Sequence, residues 1–294
     1  VSRLALALVL LCTGCLAFHQ GPMAGEPRVA SYATVDGVRL RYLDRGQGPT
    51  VVLLHGFASS LETWTAVIPT LAKTHRVIAL DLKGFGWSDR PEGDYTPAAE
   101  GALVLALLDQ LQVTDFAVVA HSWGSSVALA IALAAPERVS RIALYDAYVY
   151  EAQLPTFFHW ARASGVGEAL FGLYYDQRPD ERLAQAFFDP RYVTQPLVEE
   201  VEGAMERPGT KAAALAAVRG MRFAAQQERY PSLGKPALLL WGREDRVTPP
   251  SVGEQLAHDL SARLVVYPRC GHFPMIEAAA ESTDELVRFL DGKR

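Results

Sequence analysis

From Thr50 to Asp146 the chain alternates short, continuously apolar runs with longer helix-like stretches, and this order constrains the fold more than any other feature. Thr50–Leu54, Arg76–Asp81, Phe116–Ala120 and Arg141–Asp146 read as strands buried on both faces, the pattern of a parallel sheet covered by helices. Between them Trp64–Lys73, Pro97–Leu111 and Trp123–Ala134 read as helices, giving repeated β-α-β units. Upstream, two β-prone runs, Ser31–Val35 and Val38–Leu43, flank Asp36-Gly37, a pair that tolerates the positive φ angles of a two-residue hairpin turn. The alternation stops after Asp146 and resumes at Ala237–Trp241, Arg263–Tyr267 and a closing helix near Ile276–Leu290. The expected architecture is an α/β fold: a mostly parallel eight-stranded sheet, helices on both faces, and a helical cap inserted after strand six.

This divides the 294 residues into a leader and tether (1–30), a first part of the core (31–147), the cap (148–230) and a second part of the core (231–294). The cap holds 13 of the 28 aromatic residues, an enrichment that suits a lid over an apolar pocket. Plain packing of a small helical layer onto the sheet accounts for most of these rings, so only a few are expected to face a ligand.

Charge narrows the partners. The 28 Lys and Arg against 33 Asp and Glu give a formal charge of −5 without a run of five like charges, which argues against nucleic-acid binding. At the N-terminus Arg3 precedes an apolar run from Leu4 to Cys12, then Thr13-Gly14-Cys15, which reads as an export signal too short to span a membrane as a helix. Cys15 resembles the lipidated first residue of a mature bacterial lipoprotein, although Cys12 stands where that processing box usually has leucine. Export is therefore expected, either with a lipid anchor at Cys15 or as a soluble periplasmic or secreted chain, and Gly21–Pro27 reads as the tether. Once the leader is removed, Cys270 is the one thiol left, so no intramolecular disulfide is expected. The seven histidines lack metal-binding spacing and Gly84-Phe85-Gly86 lacks the lysine of a phosphate loop, so no metal or cofactor is implied.

The chemistry concentrates at three strand ends. Ala120-His121-Ser122-Trp123-Gly124 sets a serine between a buried strand and an alanine-rich helix, with Ala120 where the usual elbow motif has its first glycine. Ser122 is the candidate nucleophile. Asp245 follows the Ala237–Trp241 strand and His272 the next one, in the order nucleophile, acid, base; Asp146, Glu244, His121 and His55 are rivals that fit less well. The backbone N–H groups of Trp123, at a helix start, and of Phe57, in His55-Gly56-Phe57, are candidate donors to an oxyanion.

With these elements together, the chain resembles the α/β-hydrolase superfamily over about Tyr32 to Leu290. The resemblance rests on His55-Gly56-Phe57, the Asp81-to-Asp89 loop, the Ser122 elbow, the Asp245 loop and Gly271-His272-Phe273. It implies a serine hydrolase with Ser122, Asp245 and His272 as triad, acting on a small-molecule substrate with an apolar acyl group. Dehalogenases and epoxide hydrolases carry aspartate at the elbow, which Ser122 argues against. Cleavage of a small or medium carboxylic ester or thioester is the first expectation. The runners-up are C–C bond hydrolysis of ring-fission products, by members with a similar cap, and amide hydrolysis, because Ser122-Trp123-Gly124-Ser125 is similar to the elbow of proline iminopeptidases. A lidded binding protein on the same fold has no need of all three groups in this order.

Overall fold

The computed structural model describes residues 16–27 and 29–293. The expected leader, with Cys12 and Cys15, lies outside the described residues. Eight strands form one sheet: β1 (Ser31–Val35), β2 (Val38–Arg45), β3 (Thr50–Leu54), β4 (Arg76–Leu80), β5 (Phe116–His121), β6 (Val139–Tyr145), β7 (Ala237–Gly242) and β8 (Arg263–Tyr267). Their spatial order is β1-β2-β4-β3-β5-β6-β7-β8. β2 runs antiparallel to both β1 and β4, and the other pairs are parallel, as the doubly apolar strands require. Asp36 and Gly37 take φ of 48° and 79°, the turn that fits the twist of the β1–β2 hairpin.

Successive residues on each strand enter different apolar clusters. Val52, Ile78, Val118, Leu144 and Leu239 point into one, Val51, Val77, Val119, Ala143 and Leu238 into the other. The helices that cover the sheet are α1 (Ile68–Leu71), α2 (Pro97–Gln110), α3 (Gly124–Ala134), α10 (Pro250–Leu260), α11 (Pro274–Glu277) and α12 (Ala279–Leu290). Between β6 and β7 the cap contributes α4 (Thr156–Ala161), α5 (Val166–Tyr174), α6 (Pro179–Ala186), α7 (Gln195–Glu206), α8 (Thr210–Gly220) and α9 (Ala224–Gln227), with no strand among its described residues. None of the described helices is long and apolar enough to cross a membrane.

Three local expectations need correction. The helix expected over Trp64–Lys73 is split into a 3-10 turn, Leu61–Trp64, and the short α1, because Pro69 carries no N–H and is accommodated only in the first turn of a helix. The closing helix is two helices, broken at Ala278, where φ and ψ are −121° and 43°. The stretch expected to be a tether is docked. His19 exchanges two backbone hydrogen bonds with Arg90 (2.9 and 2.8 Å), the Gly21 N–H donates to Asp89 Oδ1 (2.8 Å), and the Glu26 carboxylate grips Arg39 at 2.8 and 2.7 Å. Met23 is buried and the Phe18 ring stacks near Tyr95, so a segment rich in glycine and proline still buries apolar side chains.

Candidate active site

The elbow at Ser122 is built by close backbone approach. Ser122 has φ of 50°, a left-handed conformation that costs about 1–3 kcal/mol for a residue with a Cβ and persists only where the surroundings enforce it. They do so here by three backbone hydrogen bonds: Ser122 N–H donates to Tyr145 O (2.9 Å), and Ser122 O accepts from Ser125 N–H (2.9 Å) and Tyr148 N–H (3.0 Å). Gly124 is obligatory, because a Cβ there would stand 2.2 Å from His55 O. Ala120, in the position of the missing glycine, is fully buried in the core with room for its methyl.

Asp245 and His272 meet although 27 residues separate them. His272 Nδ1–H donates to Asp245 Oδ2 at 2.8 Å, which leaves the lone pair on Nε2. Asp245 is saturated: Oδ1 accepts from the N–H groups of Val247 (2.7 Å) and Thr248 (3.0 Å), and Oδ2 also accepts from Thr248 Oγ1 (2.5 Å). Burial pushes this carboxyl up, but the charge of His272 and the hydrogen bonds from His272 and Thr248 outweigh it and hold the pKa down at about 2.

The rivals are sorted by their partners. Asp146 lies beside the pair: one ligand atom from each of Asp146, Asp245 and His272 falls within 4.8 Å of the others. It does not take the histidine. Its Oδ1 accepts from Gly242 N–H (2.9 Å), while its Oδ2 is shut off from water with no donor. Complete burial and the adjacent Asp245 charge push the Asp146 carboxyl well above its ordinary value. Glu244 accepts from Cys270 N–H (3.0 Å) and stays in its own loop. His55 donates from Nδ1 to Gly56 O (2.7 Å) and accepts Leu82 N–H at Nε2 (2.9 Å), stitching the β3 loop to the β4 loop.

His121 has a role that its position beside the serine did not announce. Its ring packs 4.7 Å from the His272 ring and its Nε2–H donates to His272 O (2.8 Å). Complete burial, together with the neighbouring His272, keeps it neutral, well below the usual histidine range. The Asp81-to-Asp89 loop is equally structural. Asp81 accepts from Leu61 N–H, Trp87 N–H and Arg41, and a Cβ on Gly86 (φ 54°) would collide with its carboxylate at 2.1 Å.

The amides of Phe57 and Trp123 donate to no acceptor among the described residues. Both belong to turns that touch the elbow: a Cβ on Gly56 would be 3.0 Å from Ser122 Cβ, and Trp123 precedes the first turn of α3. The Phe57 ring is the hub of an aromatic cluster, meeting Phe85, Trp123, Phe158 and Tyr175 at centroid distances of 5.4 to 6.5 Å.

A cavity of about 810 Å³ lies between cap and core. Phe57, and Phe273 next in sequence to His272, line it, whereas Ser122, Asp245 and His272 are buried and are not among its lining residues. Phe157, Phe158, Phe171, Tyr174, Tyr175 and Phe187 of the cap face it, more rings than plain packing led us to expect. Its cations are Arg182 and Arg207; its acids are Glu62, paired with Arg41 at 2.5 Å, and Glu200. Of the four glutamates on α7 (Glu199, Glu200, Glu202 and Glu206), only Glu200 lines the cavity. A second hollow of about 710 Å³ beside Phe18, Tyr95 and Arg219 holds none of the triad.

A strained serine at the end of parallel strand β5, Asp245 after β7 hydrogen-bonded to His272 after β8, and a helical cap define an α/β-hydrolase. Residues 51–285 match the model of the alpha/beta hydrolase family, and the chain belongs to that family of enzymes. It is 32% identical over 275 residues to the dihydrolipoyllysine-residue acetyltransferase component of an acetoin cleaving system from Pseudomonas putida, covering 88% of this chain and 68% of that one. It is 29% identical over 277 residues to a 2-hydroxymuconate semialdehyde hydrolase from Pseudomonas sp. strain CF600, covering 90% and 95%. Among solved structures, a meta-cleavage product hydrolase from Pseudomonas fluorescens IP01 superposes with a TM-score of 0.77 at 28% identity, covering 89% and 97%.

Proposed function

We propose that this protein hydrolyses a carbon–carbon bond next to a carbonyl in a ring-fission-type acid, through an acyl-enzyme on Ser122. The observation that carries the reading is the Asp245–His272 hydrogen bond, its imidazole packed on His121 next to the strained Ser122, near an aromatic cavity lined by Phe57 and Phe273 that also presents Arg182 and Arg207. Rings suit a conjugated apolar chain, and a guanidinium suits the carboxylate of such an acid. The likeness to a 2-hydroxymuconate semialdehyde hydrolase and a meta-cleavage product hydrolase supports this choice over simple ester cleavage.

In this reading the dienol first takes its keto form, its hydroxyl proton moving to the carbon beside the bond to be broken. Ser122 Oγ attacks the carbonyl carbon while His272 Nε2 takes its proton. The alkoxide that forms accepts from the Phe57 and Trp123 N–H groups. Collapse then breaks that carbon–carbon bond, the electron pair delocalises through the C=C into the ketone as a dienolate, and His272 gives its proton to the dienolate oxygen. Water, deprotonated by His272, then attacks the acyl-enzyme and releases the second acid. Asp245 fixes the imidazole tautomer throughout. Ester or thioester cleavage uses the same acyl half, and differs only in where the electron pair of the leaving group goes.

The test is a matched comparison. The protein is assayed against 2-hydroxymuconate semialdehyde, a p-nitrophenyl ester series of increasing chain length, a thioester and a proline arylamide. The reading requires kcat/KM on the ring-fission acid to exceed that on every ester by at least tenfold, and to fall when Arg207 is replaced by Met. Preference for an ester would return the assignment to an esterase.

A further inference from the structure

The loop that carries His272 is gripped by the cap rather than by the core alone. His272 N–H donates to Ala186 O, at the end of α6, at 2.6 Å, while its own carbonyl is held from the core side by His121. One residue earlier, Gly271 is pressed against the same cap segment: a Cβ there would stand 2.3 Å from Ala186 O and 2.7 Å from Phe188 N. Glu277, at the end of α11, closes the junction. Its Oε1 accepts from Gly271 N–H (2.7 Å), and its Oε2 accepts from the N–H groups of Phe188 (2.9 Å) and Asp189 (3.0 Å). Next to it the Phe187 ring stacks on Phe273 at 4.8 Å and 20°.

Both sides of this junction are cavity wall: Ala186 and Phe187 from the cap, Phe273 and Ile276 from the core. A molecule that fills the cavity therefore presses on the backbone that bonds the His272 N–H. We infer that Glu277 is a positioning residue for His272, a carboxylate clip between cap segment Ala186–Asp189 and Gly271 that makes the posture of the base depend on what the cavity holds. A single carboxylate satisfying three backbone N–H groups from two separate parts of the chain has no partner in the triad and no contact with the proposed reacting atoms. Its effect on turnover passes through the imidazole that it holds in place, where a displacement of about 1 Å can cost on the order of 100-fold in rate.

The inference rests on His272 being the base, and the experiment keeps the two claims apart. Loss of fluorophosphonate labelling in S122A and H272A tests the triad. The clip is tested by kcat and KM of wild type, E277Q and E277A on p-nitrophenyl esters of short and long acyl chain, well below the Tm of each variant. In E277A, kcat on the long ester falls at least tenfold with KM within threefold, and the ratio of long-chain to short-chain kcat contracts toward one. E277Q keeps one acceptor oxygen and lies between, a partial rescue that the loss of generic stability does not produce. Unchanged kcat in E277A overturns the inference, as does a fall that is equal for both esters and tracks Tm alone. Should E277A fail to fold, the same comparison of chain lengths in E277Q decides.

Discussion

Replacing Asp245 by Asn tests the electrostatics of the site with almost no change in shape. The four hydrogen bonds to the carboxylate decide which way the amide turns. Two backbone donors, Val247 and Thr248 N–H, converge on Oδ1, so the Asn oxygen stays there and the NH2 takes the place of Oδ2. That NH2 faces His272 Nδ1 at 2.8 Å and can only donate to it. The histidine must then carry its proton on Nε2, the atom that has to accept one from Ser122. A flipped tautomer of this kind drops kcat by about 10⁴, or roughly 5 kcal/mol of barrier, while the fold is intact. The stability change has its own sign. The pKa of Asp245 in the fold, about 2, lies below its ordinary value of 3.8, so its ionisation stabilises the fold at neutral pH by about 2 kcal/mol, and that share is lost as pH falls from about 4 to 2. D245N should therefore lose this acid-labile share of stability as well as the rate. Stopped assays with a p-nitrophenyl ester at pH 7, and thermal melts at pH 7 and 3, read both quantities. Less than tenfold loss of kcat would refute the assignment of Asp245 and point to Asp146 as the working acid.

Asp146 gives the opposite pH dependence. Its folded pKa is raised, so above its unfolded value folding must take up a proton, and the cost grows by about 1.4 kcal/mol per pH unit until the folded pKa is reached. D146N, which mimics the neutral acid, should raise Tm relative to wild type, and more at pH 8 than at pH 5; a difference independent of pH would show that Asp146 is ionised in the fold. G124A places a methyl 2.2 Å from His55 O and 3.0 Å from Leu54 O, both backbone atoms that cannot rotate away. It should cost about 3 kcal/mol, seen as a Tm lowered by several degrees, with labelling of Ser122 abolished; a variant that melts and labels like wild type would mean that the elbow is looser than described. The proposed export and lipidation predict a native N-terminus at Cys15 carrying a lipid mass by mass spectrometry, one residue before Leu16 on the core surface. Intact residues 1–14 would refute that proposal.

What the sequence made legible was set by short-range chemistry. Continuous apolar runs exposed the sheet, Asp36-Gly37 the hairpin, and the loops after the last two strands the Asp245–His272 pair, because each is decided by neighbours in the chain or by the direction of a buried strand. Gly124 and Ala120 looked like two parts of one motif, yet only Gly124 is sterically forced. Asp146 and Asp245 were indistinguishable by type; the backbone amides of Val247 and Thr248 separate them, and those are visible only once the loop is folded. His121, a lesser rival for the base, supports His272 through its backbone carbonyl, a contact across 151 residues. Glu277 gave no signal because its three partners are backbone N–H groups. Gly21–Pro27 is docked although glycine and proline content speaks of chain flexibility, because Met23 within it and Phe18 just before it supply the burial that pins it down.

The central claim is that turnover passes through a covalent acyl group on Ser122. Rapid acid quenching of the protein during turnover of a slow substrate, followed by peptide mass spectrometry, measures it directly. The account predicts the acyl mass on the peptide containing Ser122 and no adduct in S122A. Unmodified Ser122 throughout turnover, or undiminished turnover by S122A, would contradict it.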